Sequence, residues 1–156
     1  CRGNDAAKCN IYGGYYQWDE LMGYLNADNA DNAGGSDNFL AEGKQGICPP
    51  EWHVATEGEW TELVNNYLGP GLAGWDLSDS FPVYGFHAKS QGLFYQNFAW
   101  DFMPPGFSAT LFWTSTVSPA DDTRIISHGV NTISPSVSKY GSAKSNGFPA
   151  RCVRDQ

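Results

Sequence analysis

The chain has 156 residues, the length of one ordinary domain with a real core, and it is 41% hydrophobic, 15% aromatic and only 17% charged. Its 18 glycines and 9 prolines mark a turn-rich folded protein, not a disordered one. A formal net charge of −8 and a pI near 4.6 argue against nucleic acid and anionic membranes as partners, because both need clustered Lys and Arg. No apolar run is long enough to cross a bilayer. The chain opens on Cys1 without a leader pattern, which reads as a mature or trimmed fragment.

In chain order, Cys1, Cys9, Cys48 and Cys152 come first. Four cysteines allow three pairings, and the sequence does not choose among them. No CxxC pair argues for zinc, so two disulfides in an oxidising compartment are expected. Cys1 with Cys9 would close a short loop, and Cys48 with Cys152 would tie the middle of the chain to its end. Trp18, Leu21, Met22 and Leu25 follow helical spacing and predict a first helix from about Tyr16 to Leu25. The next stretch, NADNADNAGGSDN, has no apolar periodicity and reads as a polar loop. Its Asp28, Asp31 and Asp37 leave calcium open as a cofactor, although their spacing does not follow an EF-hand.

CPPEWHVATEGEW, from Cys48 to Trp60, resembles an active site because it gathers one Cys, one His and several carboxylates. Each has structural work instead. Thr56 and Glu59 form a capping box, and Glu57 and Glu59 lie where the helix dipole favours negative charge. Trp60, Leu63, Val64 and Tyr67 then repeat at helical spacing until Gly69-Pro70. His53 sits beside Trp52 and Val54 in a short extended segment, and its expected role is structural. From Gly69 to Thr110 the irregular mixture of Gly, Pro and aromatics predicts long loops, with His87 structural. LFWTST, RIISHGV, SVSKYG and GFPARCVRD predict strands, with Phe112 and Trp113 on opposite faces of one of them.

No GxSxG, Walker A or HExxH motif occurs, and His53, His87 and His128 are scattered. No carboxylate pair is indicated for glycoside hydrolysis. The residues thus predict a non-enzymatic, disulfide-bonded extracellular α+β domain whose work is binding.

CRGNDAAKCNIYGGYYQWDELM, GICPPEWHVATEGEWTELVNNYLG, FWTST and GFPARCVRD together resemble the Fibrobacter succinogenes major paralogous domain. The order and spacing match at both ends of the chain, while roughly Leu72 to Thr110 matches poorly. That domain is similar to the C-type-lectin-like fold shared with formylglycine-generating enzymes and phage tropism determinants. The resemblance implies one domain over residues 1–156, with two helices flanking a small twisted antiparallel sheet under long loops. It also supports the Cys1–Cys9 and Cys48–Cys152 pairing, and implies an upstream segment that this sequence does not include. Formylglycine-generating enzymes need a cysteine pair at the active site, whereas here the end of the chain offers only Cys152. The calcium-dependent sugar motifs of true C-type lectins do not occur.

From Thr116 to Asn146 there is no Glu, Gln, Trp or Met. Relatives diversified by retroelements, with this fold and a GF-x-x-RCVRD ending, show such a restricted set. The resemblance implies an exposed, ligand-binding recognition face built from Asp121, Asp122, Thr123, His128, Asn131, Ser138, Tyr140, Ser142, Ser145 and Asn146. Small side chains with a few aromatics suit adaptable recognition. Arg124, Arg151 and Arg154 are expected to be structural. The expectation is a bacterial secreted or cell-surface module for adhesion or receptor recognition, for example at a pilus tip or on a cell-anchored protein. Its partner would be a surface protein or glycan of a host or neighbouring cell, without nucleic acid, membrane insertion or an obligatory cofactor. The alternatives are a formylglycine-generating-type oxidase and a packing module contacting other domains of a larger surface assembly.

Overall fold

The structure is a computed structural model that describes residues 6–7, 10, 13–23, 42–67, 109–131 and 137–156, and all structural statements concern these. Along the chain run α1 (Trp18–Met22), β1 (Trp52–Val54), α2 (Glu57–Glu62) with a π-helical turn (Leu63–Tyr67), β2 (Ala109–Val117), β3 (Arg124–Asn131), β4 (Val137–Ala143) and β5 (Cys152–Arg154). The architecture is a mixed one, two small helices with antiparallel sheets. The predicted Asn26–Asn38 loop, residues 69–108 of the predicted Gly69–Thr110 loops, His87 and the Cys1–Cys9 pair lie outside the described residues, while residues 109–110, expected in those loops, begin β2.

α1 is shorter than the hydrophobic spacing predicts. Gly23 adopts φ 73 and its N–H donates back to the Glu20 carbonyl, so the helix is capped before Leu25. Trp18, Leu21 and Met22 are nevertheless fully buried, as their spacing requires. α2 starts as expected: Thr56 Oγ1 accepts from Glu59 N–H at 3.1 Å, and Glu59 Oε2 accepts from Thr56 N–H at 2.8 Å.

β2, β3 and β4 form an antiparallel meander in that order, and β1 pairs with β5 in a separate two-stranded ribbon. Phe112 opposes His128, which opposes Lys139, so these three share one face. Trp113, Ser127 and Tyr140 share the other. The pairing of β2 with β3 is irregular between Trp113 and Val117. There β2 turns to the ribbon: Ser115 N–H donates to the Ala55 carbonyl and Ala55 N–H to the Arg151 carbonyl, each at 3.0 Å.

Each face of the meander carries its own core. Trp113, Leu111 and Ile125 pack with Trp18, Leu21, Met22, Val54, Cys48 and Phe148. Phe112 and Val130 pack with Ala55 and Trp60 of the α2 side, with Leu63, Val64, Val137 and Val153 around them. Consecutive Phe112 and Trp113 therefore face opposite cores. The indole N–H groups of Trp18 and Trp113 donate to the Thr114 and Tyr16 carbonyls at 3.0 and 2.8 Å, tying α1 to β2. Where the 42–48 segment crosses α1, Ile47 N–H donates to the Leu21 carbonyl, and Gly46 at φ 54 comes so close that a Cβ would press on that oxygen.

Cys48 and Cys152 are bridged, with Cα atoms 5.9 Å apart and 104 positions apart in sequence. The bridge fastens the entry to β1 onto β5. No described helix is long and apolar enough to cross a membrane.

Candidate functional site

The ten residues of the expected recognition face do not share one face. Asp121, Asp122 and Thr123 are exposed in the β2–β3 turn. Asp121 organises that turn: Oδ1 accepts from Thr123 N–H at 3.0 Å and Thr123 Oγ1 at 2.6 Å, and Oδ2 accepts from Arg124 Nε at 3.1 Å. The hydrogen bond from the Thr123 hydroxyl, then its N–H, and the Arg124 guanidinium hold the Asp121 carboxyl below the usual range. Arg124 also donates from Nη1 to the Gly141 carbonyl at 3.1 Å, which covers part of the outer edge of β4. Its expected structural role holds. Arg151 likewise sits 5.4 Å from the Phe112 ring centre, a packing position. Arg154 is exposed at the end of β5, opposite Trp52.

Three predicted display positions are buried, which corrects the expectation that they project outward. His128 is 5% exposed, Ser142 6% and Asn146 7%. His128 faces α2 because it opposes Phe112 and Lys139; its ring stacks on Trp60 at 5.1 Å and 5°. Its Nε2 is buried with no hydrogen-bond partner among the described residues. Burial drives the His128 pKa down to about 4, against an opposing pull from Glu57 and with a push from Lys139. Ser142 is spent on Ser127, hydroxyl to hydroxyl at 2.7 Å. Asn146 is enclosed in the turn after β4, its N–H donating to the Ala143 carbonyl. Ser145 is half-buried, and its carbonyl accepts from Gln17 Nε2. Asn131 and Ser138 are half-buried, toward the end of the meander away from the Asp121 turn.

Tyr140 remains, and it is 49% exposed. Its ring lies over Gly129, where a Cβ would come within 2.8 Å of Tyr140 Cε2. The missing side chain at 129 therefore seats the ring against the sheet. Lys139 and Gly141, on either side of Tyr140, are exposed and were not among the predicted residues. Lys139 donates from Nζ to Glu57 Oε1 at 3.2 Å. Glu57 sits below its ordinary range, chiefly because the Thr61 hydroxyl donates to it, with Lys139 assisting against the opposing effect of burial. The sequence signal for Lys139 was available: it alternates with Ser138 and Tyr140 along a strand. The exposed residues thus wrap the outer edge of the sheet, from the Asp121–Arg124 turn onto Lys139, Tyr140 and Gly141.

His53 is a second cluster. Nδ1 lies 2.6 Å from Asp155 Oδ1, and Nε2 lies 2.9 and 3.0 Å from the two carboxylate oxygens of Glu59. Asp155 is 102 positions away, so no local pattern in the sequence announces it. Asp19, buried in the first turn of α1, has its carboxyl raised above the ordinary range by burial, with Glu20 adding to it. Among the described residues no group of three His, Cys, Asp or Glu side chains is placed to hold a metal.

The architecture defines a small mixed α+β domain, two helices and antiparallel sheets, braced by a disulfide and carrying an exposed strand edge. The chain belongs to the Fibrobacter succinogenes major domain family, which it matches over residues 1–154. No curated protein and no solved structure matched the chain.

Proposed function

We propose that the chain is an extracellular binding module of C-type-lectin-like fold, presented on a bacterial surface structure for adhesion or receptor recognition. The observation that carries this reading is Tyr140, a half-exposed aromatic seated on Gly129 and next in sequence to Gly141, whose carbonyl accepts from Arg124 of the exposed Asp121–Arg124 turn. An aromatic held in place contributes contact area at low entropic cost, and the short polar side chains around it supply adaptable hydrogen bonds. The Cys48–Cys152 bridge supports the same reading, since a sulfur in a disulfide is neither a nucleophile nor a metal ligand. The recognition set is Asp121, Asp122, Thr123 and Tyr140 at its centre, with Ser138, Asn131 and Ser145 at the margins. His128, Ser142 and Asn146 belong to the frame beneath it. The oxidised, folded chain screened on glycan and protein arrays tests the proposal: saturable retention of a defined ligand class is expected, and an absence of retention on both arrays contradicts it.

A further inference from the structure

Both ring nitrogens of His53 face carboxylates, Nδ1 toward Asp155 at 2.6 Å and Nε2 toward Glu59 at 2.9 Å. A carboxylate only accepts, so both contacts are hydrogen bonds when both ring nitrogens carry protons. The groups come from three places: β1, the first turn of α2, and the residue that follows β5. We propose that His53 is a proton-operated latch that fastens the segment after β5 to α2 as an imidazolium, and that lets go of Asp155 while keeping Glu59 when it loses one proton.

The order of release follows from the partners. Glu59 is committed elsewhere, because its Oε2 also accepts from Thr56 N–H and Thr56 Oγ1 at 2.8 and 2.9 Å. Turning it away would dismantle the cap of α2. The Asp155 side chain is 54% exposed against 30% for Glu59, so it reaches water by a rotamer change alone. The remaining proton therefore stays on Nε2. The ionisable groups that act on the ring are these two carboxylates. Arg154 opposes Trp52 across the ribbon, on the face away from His53. The 42–44 segment brings Gly43 to the ring edge, and the Lys44 carbonyl is held by Val54 N–H. Burial of the ring opposes its charge, and the hydrogen bonds to Asp155 and Glu59 outweigh that and raise its pKa. The Cys48–Cys152 bridge keeps β5 in place, which confines the release to residues beyond Cys152.

The test is an NMR titration of the isotope-labelled, oxidised chain from about pH 5 to about pH 9, following the His53 ring nitrogens and amide exchange at Asp155 and Glu59. Asp155 N–H donates to the Glu51 carbonyl at 2.8 Å and serves as the reporter of release. We expect Nδ1 to lose the proton, and Asp155 amide exchange to accelerate at the same midpoint while Glu59 stays protected. Asp155→Asn, at an exposed site, keeps the fold and moves the ring midpoint downward. Loss of the proton from Nε2, an Asp155 amide indifferent to the titration, or an unchanged midpoint in Asp155→Asn would each overturn the latch.

Discussion

His128 lies flat against Trp60, and its burial holds the ring neutral with a pKa lowered to about 4. His53, bonded at both nitrogens, has its pKa raised. The two therefore act on stability in opposite directions. A base whose folded pKa is depressed contributes stability above its unfolded value, near 6.5, and loses it as pH falls toward about 4. A base whose folded pKa is raised contributes fully below that value and loses it as pH rises through the folded one. Urea unfolding across this range is expected to show a maximum near the ordinary histidine pKa, with His128 contributing about 3 kcal/mol of the acid limb. His128→Phe keeps the stack on Trp60 and removes the proton, so it should flatten that limb. A variant whose acid limb matches the wild type would show that His128 is not what titrates.

At the scale of elements, α2 was legible in the sequence because its cap is local: Thr56 and Glu59 stand three positions apart and bond to each other. α1 was legible in its buried stripe and not in its end, since the apolar spacing runs on to Leu25 while Gly23 adopts the left-handed cap. The strands were legible as alternations, but their sides were not. Neither face of β3 points to solvent, because α2 packs over His128 and the α1-side core over Ile125, both contacts between distant segments. Composition alone therefore placed His128, Ser142 and Asn146 on a surface they do not reach. Gly129 shows what pairing adds: it has no signal of its own until Tyr140 is placed opposite its neighbour Ser127 and over it. Gly129→Ala puts a methyl where the ring rests. The ring is the end of a movable side chain, so the melting temperature should stay near that of the wild type while the Tyr140 ring-proton shifts change. A variant with unaltered Tyr140 shifts would mean that position 129 does not seat the ring.

For the whole molecule, the covalent constraint among the described residues is the Cys48–Cys152 bridge, which spans 104 positions and joins the β1–β5 ribbon from outside its hydrogen bonds. Closing a loop of about 100 residues removes unfolded-state entropy worth about 4.7 kcal/mol in the chain-entropy model. The double variant Cys48→Ala, Cys152→Ala is expected to lose a comparable amount in denaturant unfolding, and the ribbon should lose amide protection before the β2–β3–β4 meander does. Equal loss in both would contradict a brace local to the ribbon. The pairing was expected from family resemblance; its consequence, that β5 is fastened to the entry of β1 as well as packed on the meander, required the topology.

The most direct test of the account is the affinity of an array-selected ligand for the wild-type chain and for Tyr140→Ala, with thermal melting recorded on both. Tyr140 is half-exposed, so its truncation should leave the melting temperature nearly unchanged while affinity falls about tenfold or more, as for an aromatic anchor. An affinity unchanged by Tyr140→Ala, in a chain that melts as before, would contradict recognition at the outer edge of the sheet.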